Sequence, residues 1–144
     1  MTAKTKLRMY YMHPVNTYNT PLEQDQMADI RRKFGREWDV VNPNAPEHQK
    51  AYDEMKQKTG NGMPYFVALA DGCQAGVYLP FRDGKIGAGI AMEVRSLLGR
   101  GCQVWELRHD GRLFHTRVLD ERRVLSVVET RSRIRNEDGS TRAY

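Results

Sequence analysis

The sequence predicts one α/β domain, a mainly parallel sheet flanked by helices and finished by an antiparallel edge. Three observations predict it. Short apolar runs of strand length alternate with longer stretches of helical spacing. Glycine and proline punctuate most of the joins between them. Towards the C-terminus an Asp-Gly pair separates two alternating segments, which marks a hairpin rather than another crossover. At 144 residues the chain has the size of one domain, enough to bury a core without staples.

Taken in order, Leu7 to Met12 is a short apolar run rich in aromatics and reads as the first strand. Thr20, Pro21 and Glu23 then announce a helix: a capping residue, a proline suited to the first helical position, and the acid of a capping box. Met27, Ile30 and Phe34 fall at helical spacing and Gly35 supplies the stop. Trp38 to Val41 is a second strand, ended by Asn42-Pro43. Glu47 to Lys58 is a polar helix broken by Gly60, Asn61 and Gly62, and Pro64 to Ala70 is a short helix leading to Asp71. Ala75 to Leu79 reads as a buried strand stopped by Pro80, Ala88 to Leu98 as a helix, and Cys102 to Leu107 as a fourth strand. The two-residue turn Asp110-Gly111 should send Leu113 to Leu119 back antiparallel, with Val124 and Leu125 extending that edge. Ser126 with Glu129 opens a last helix reaching about Arg135. The segment from Asn136 to Tyr144 frays unless something holds its end. Repeated β-α-β units with a terminal hairpin make a Rossmann-like (flavodoxin-like) sheet, covered on both faces.

Composition narrows the classes. No apolar run approaches the roughly 18 residues of a membrane span, and MTAKTKLRMYYM lacks the apolar core of a signal peptide. Cys73 and Cys102 stand alone, without metal-ligand spacing or a disulfide framework. A cytoplasmic protein with no membrane partner, no metal and no cofactor is expected. The net charge of +5 suits an anionic partner. Much of it comes from Arg108, Arg112, Arg117, Arg122, Arg123, Arg131, Arg133 and Arg135, but Asp110, Asp120, Glu121 and Glu129 are interleaved with them. That is the pattern of a solvated face rather than of a nucleic-acid stripe.

Ligands of such sheets bind beyond the carboxyl ends of the strands, which directs attention to residues 12–19, 42–46, 71–73 and 80–93. Gly87 and Gly89 at a strand-to-helix junction let the backbone approach a ligand, and the helix N-terminus offers N–H groups to oxygen atoms. Glu93 follows one turn in, between Ile90 and Leu97. A solvent-facing acid more often has polar neighbours at those spacings, so the pattern admits Glu93 to the crevice without excluding a merely structural role.

The run GAGIAMEVRSLLGRGCQVW resembles the G-x-G-T-x-x-E segment of the nucleoside 2-deoxyribosyltransferase family, which includes the related nucleoside 5′-monophosphate N-glycosidases. FVALADGCQAGVYLP resembles that family's segment of helix, aspartate, buried strand and proline, and RMYYMHP its opening strand. The likeness spans residues 7–107. It implies Glu93 as the nucleophile, Asp71 as the acid and base serving the nucleobase, and Tyr10 as the hydroxyl that steadies Glu93. It implies a nucleoside or nucleotide substrate with a free nucleobase as co-substrate, and a homo-oligomer whose sites a neighbouring chain completes. His13 stands where the family has a small residue, and there it either lines the sugar pocket or simply crowds it. Asp83 is positioned to substitute for a second aspartate, or to make a plain turn with Gly84. Tyr144 can imitate the C-terminal aromatic carboxylate that closes some family sites. Ile90 replaces the motif's threonine. Within the same class, hydrolysis of nucleoside 5′-monophosphates stays open, and two other classes compete with it: a phosphoribohydrolase of the cytokinin-activating type and a non-catalytic nucleotide- or nucleic-acid-binding module.

Overall fold

A computed structural model of the chain describes residues 6–144; residues 1–5, part of the segment from which the lack of a leader was read, lie outside them. The elements follow the predicted order: β1 (Leu7–Met12), a 3₁₀ turn at Val15–Thr17, α1 (Pro21–Phe34), β2 (Trp38–Val41), α2 (Pro46–Thr59), α3 (Met63–Asp71), β3 (Ala75–Tyr78), α4 (Ala88–Gly99), β4 (Gln103–Leu107), β5 (Leu113–Thr116) and α5 (Val127–Ile134). The sheet order is β2-β1-β3-β4-β5, with the first four strands parallel and β5 antiparallel on β4. The chain leaves β1 towards β2 and returns on its other side with β3, so the order reverses between them and a crevice opens beyond their carboxyl ends. Among the described residues, no helix is long and apolar enough to cross a membrane.

Alternation along each strand builds two cores. Tyr10, Met12 and Tyr78 face α3 and α4, packing with Ala70, Ile90, Val94 and Leu97. Met9, Tyr11, Ala75 and Val77 face α1, packing with Met27 and Ile30. Gly76 sits where α4 crosses closest: a Cβ there would lie 2.6 Å from both Leu97 Cδ1 and Met12 Cε. Gly76→Val is therefore expected to cost about 1–3 kcal/mol by overpacking, read as a lowered urea midpoint with an unchanged m-value.

Local signals and structure agree at most boundaries, with four departures. Thr20 caps α1 by accepting from Glu23 N at 3.3 Å, but Glu23 does not close the box; its carboxylate turns to His13 and Asn44. The hairpin loop holds three residues rather than two, because Gly111 at φ 86° forms the bulge between Arg108 and Arg112. Val124 and Leu125 do not extend β5: Leu125 N donates to Ile86 O, tying the chain to the loop after β3. Residues 136–144 fold back on the end of α5, with Arg142 N donating to Ile134 O, and the tail is held by Tyr144. Ser126 and Glu129, by contrast, form the full capping box expected of them.

Candidate functional site

Glu93 lies in the second turn of α4 with its side chain turned into the sheet. It is 6% exposed, whereas Met92 and Arg95 on the outer face are open to solvent. Ile90 and Leu97 are buried beside it, as the helical spacing required. Burial drives its carboxyl up to about 8, and the neighbouring Tyr10 hydroxyl offsets only part of that rise. The Tyr10 contact stops short of a formed bond: Tyr10 Oη and Glu93 Oε2 are both buried without a hydrogen-bond partner. Burial, and then the charge of Glu93, push the Tyr10 phenol well above its ordinary range. Among the described residues Glu93 makes no ion pair, unlike the other two buried acids, Glu23 and Glu106.

Tyr18, in the loop after β1, completes the group. Its phenol is raised first by burial and then by the charges of both Glu93 and Glu23, so both buried acids lie within its electrostatic reach. Its ring is tilted against His13 at 4.8 Å. Tyr18 was not singled out from the sequence; the only signal was an aromatic residue in the hydroxyl-rich PVNTYNT segment.

His13 continues the alternation of Met9 and Tyr11, so it faces α1 rather than Glu93. Its ring stacks on Tyr11 at 4.1 Å. Nδ1 faces the Tyr11 carbonyl at 3.1 Å and Nε2 faces Glu23 Oε2 at 2.7 Å, so each ring nitrogen meets an oxygen acceptor. Asn19 N and Asn44 Nδ2 also donate to Glu23. Burial works to raise the Glu23 carboxyl, but His13 and these donors together hold it below its ordinary value. This network clamps the loops after β1 and β2 to the start of α1.

Asp71 is not part of the site. It ends α3 and precedes β3, which puts it at the amino edge of the sheet, opposite the crevice. There it accepts from Ser96 Oγ at 2.6 Å and lies 3.4 Å from Arg100 Nε, largely exposed. Asp71→Asn is expected to leave any turnover within about twofold and to shift stability by less than about 1 kcal/mol, as for a surface pair; kinetics and urea melts of the variant check both.

The remaining candidates line the crevice in other roles. Asp83 is bound by both terminal nitrogens of Arg133 at 2.8 Å, which holds its carboxyl at about 2. Gly87 caps α4, but the N–H of Ala88 is taken by Thr130 Oγ1 at 2.9 Å instead of awaiting a ligand. Gly89 makes room for Met63, whose Cε would lie 3.3 Å from an added Cβ. Tyr144 rests against Phe81, donates to Pro80 O at 2.9 Å, and lies under the Arg82 guanidinium. Burial raises its phenol to about 12. Glu106, missed from the sequence, meets Tyr78 Oη, Arg108 and Arg123; Arg123 in turn donates to Gly84 O, fixing the loop after β3.

The arginines of the last third are largely committed to acids: Arg108 and Arg123 to Glu106, Arg112 to Asp110, Arg122 to Asp120 and Arg133 to Asp83. Such pairing leaves little of a phosphate-tracking stripe. No group of three or more His, Cys, Asp or Glu able to hold a metal occurs among the described residues. The crevice thus presents a desolvated carboxyl beside the Tyr10 phenol, an arrangement able to act as nucleophile or as acid and base. Compared with protein-family models, with curated proteins and with solved structures, the chain matches none.

Proposed function

We propose that the protein cleaves the N-glycosidic bond of a (deoxy)nucleoside and passes the sugar to a second nucleobase, with Glu93 as nucleophile. The observation that carries this reading is the unpaired, buried carboxyl of Glu93 beside Tyr10 at the sheet's switch point. The choice of a pentosyl substrate rests on the resemblance of the segment around Glu93. Ionised Glu93 attacks the anomeric carbon as the glycosidic bond breaks; the departing base keeps the bonding pair and takes up a proton from solvent. A second base, or water, then displaces the glutamyl ester, losing a proton to solvent as the Glu93 carboxylate leaves, and two displacements retain configuration. Tyr10 orients the carboxylate. With Asp71 at the far edge, the reading assigns no side chain to the proton of the nucleobase. The reading also implies a homo-oligomer, and Val127 and Val128, exposed on the first turn of α5, are apolar surface for such an interface to cover.

Incubation with deoxynucleosides and a free acceptor base, followed by chromatography of the bases, tests the reading. Base exchange lost in Glu93→Ala supports it; base release without exchange assigns hydrolysis; absence of both across a panel of nucleosides and nucleotides overturns it.

A further inference from the structure

The crevice holds a feature that the chemistry of Glu93 leaves unused. A cleft of about 450 Å³ opens between the loops after β1 and β3, with the C-terminal tail as its third wall, lined among others by Asn16, Phe81, Arg82, Arg133, Arg142 and Tyr144. Asn16 is 6% exposed, and its Nδ2 donates to the Arg133 carbonyl at 3.3 Å. Only an N–H can meet a carbonyl in this way, so the other amide atom is fixed as the acceptor Oδ1. That oxygen is buried and receives no hydrogen bond. A buried acceptor left unpaired is costly, and a ligand hydroxyl or amide would satisfy it.

The charges around it point the same way. Arg133 is committed to Asp83. Arg82 lies over the Tyr144 ring at 4.6 Å, Arg142 donates to Ser132 O at 3.1 Å, and neither meets a carboxylate among the described residues. Two guanidinium groups without an acid, an aromatic wall and an orphaned acceptor suit one kind of molecule.

We propose that this cleft binds a hydroxyl-bearing oxyanion the size of a sugar phosphate, with the oxyanion between Arg82 and Arg142 and a hydroxyl donating to Asn16 Oδ1. The assignment does not depend on Glu93 performing chemistry. The oxyanion can belong to the substrate or to a separate small molecule; the recognising groups are the same.

Calorimetric titration of the whole chain with ribose 5-phosphate, inorganic phosphate and ribose tests it. Ribose 5-phosphate is expected to bind at least about tenfold more tightly than either fragment. Arg82→Gln and Arg142→Gln should each weaken it about tenfold, the loss of one charge-assisted contact. Asn16→Ala should weaken ribose 5-phosphate and leave inorganic phosphate unchanged. Equal affinity for ribose 5-phosphate and phosphate overturns the proposal, as does unaltered binding in both arginine variants, whose exposed sites keep the test valid should Asn16→Ala fail to fold. Retained binding in Glu93→Gln supports the cleft whatever the outcome of the nucleoside assays, and binding abolished there overturns it. In an active preparation, competition by ribose 5-phosphate marks the substrate's own oxyanion and stimulation marks a separate effector; both retain the site.

Discussion

Glu93→Gln is expected to abolish turnover and at the same time to make the fold more stable, increasingly so as the pH rises. Burial lifts the Glu93 carboxyl from 4.5 to about 8, so the folded chain holds this proton more tightly than the unfolded chain does. Below about pH 4.5 both states are protonated and the residue costs nothing through ionisation. Between 4.5 and 8 the unfolded state ionises first and stability falls with pH, at roughly 1.4 kcal/mol per unit. By pH 7 the penalty is on the order of 3 kcal/mol, and above about 8 it levels off. Glutamine keeps the shape and removes the titration. The variant should therefore melt like the wild type near pH 4.5 and at a clearly higher urea concentration at pH 8. Turnover should drop by at least about 10³-fold, as for loss of a nucleophile. The pH profile of kcat/KM identifies the role: a nucleophile gives a limb rising to about 8, whereas a general acid gives one falling above it. A variant no more stable than the wild type at pH 8 would mean that Glu93 is not desolvated, and the site would lose its basis.

How much of this was legible beforehand depends on the range of each interaction. The helix ends were local matters: Pro21, Gly35 and the Ser126–Glu129 pair act within one turn, and the structure follows them. The inward orientation of Glu93 was equally local, since Ile90 and Leu97 share its face. Asp71 failed for a reason that topology supplies. A residue entering a parallel strand lies at the amino edge, and only residues leaving β1 or β3 reach the crevice; the resemblance matched the segment without testing which end of the strand it occupied. Glu23 was read as the partner of Thr20, three residues away, when the stronger donor was His13, ten residues earlier. Glu106 finds Arg123 only because the segment after β5 returns to the loop at Gly84. Tyr18 carries no motif, and only the folding of its loop brings it within electrostatic reach of Glu93 and Glu23. Pairings of this kind need the sheet order, which no local spacing encodes.

The second large effect belongs to Glu23, and its sign with pH is opposite. Glu23→Ala is expected to destabilise the fold by about 3–5 kcal/mol at pH 7, because it strands the buried His13 ring and the Asn44 amide without their acceptor. In the wild type the Glu23 carboxyl sits below its ordinary value in the folded state. Its contribution is thus complete above the unfolded value of about 4.5 and is lost as the pH falls towards the lower folded value. Glu93 gains nothing further in that range, having shed its penalty already. The two buried acids therefore press the stability curve from opposite sides: Glu93 erodes it from pH 4.5 up to 8 and Glu23 erodes it below 4.5. Wild-type stability should peak near pH 4.5–5 rather than at neutrality. In Glu93→Gln the peak should broaden towards neutral pH, and in Glu23→Gln the acid-side fall should shrink. Urea midpoints of the three proteins from pH 3.5 to 8.5 measure both effects, and a wild-type maximum at or above pH 7 would refute the opposition. Among the described residues the core holds one ionisable acid that pairs with no cation, Glu93, while the other two buried carboxylates, Glu23 and Glu106, are paired. A fold selected for stability alone gains nothing from that exception, whereas the nucleophilic role proposed for Glu93 requires it.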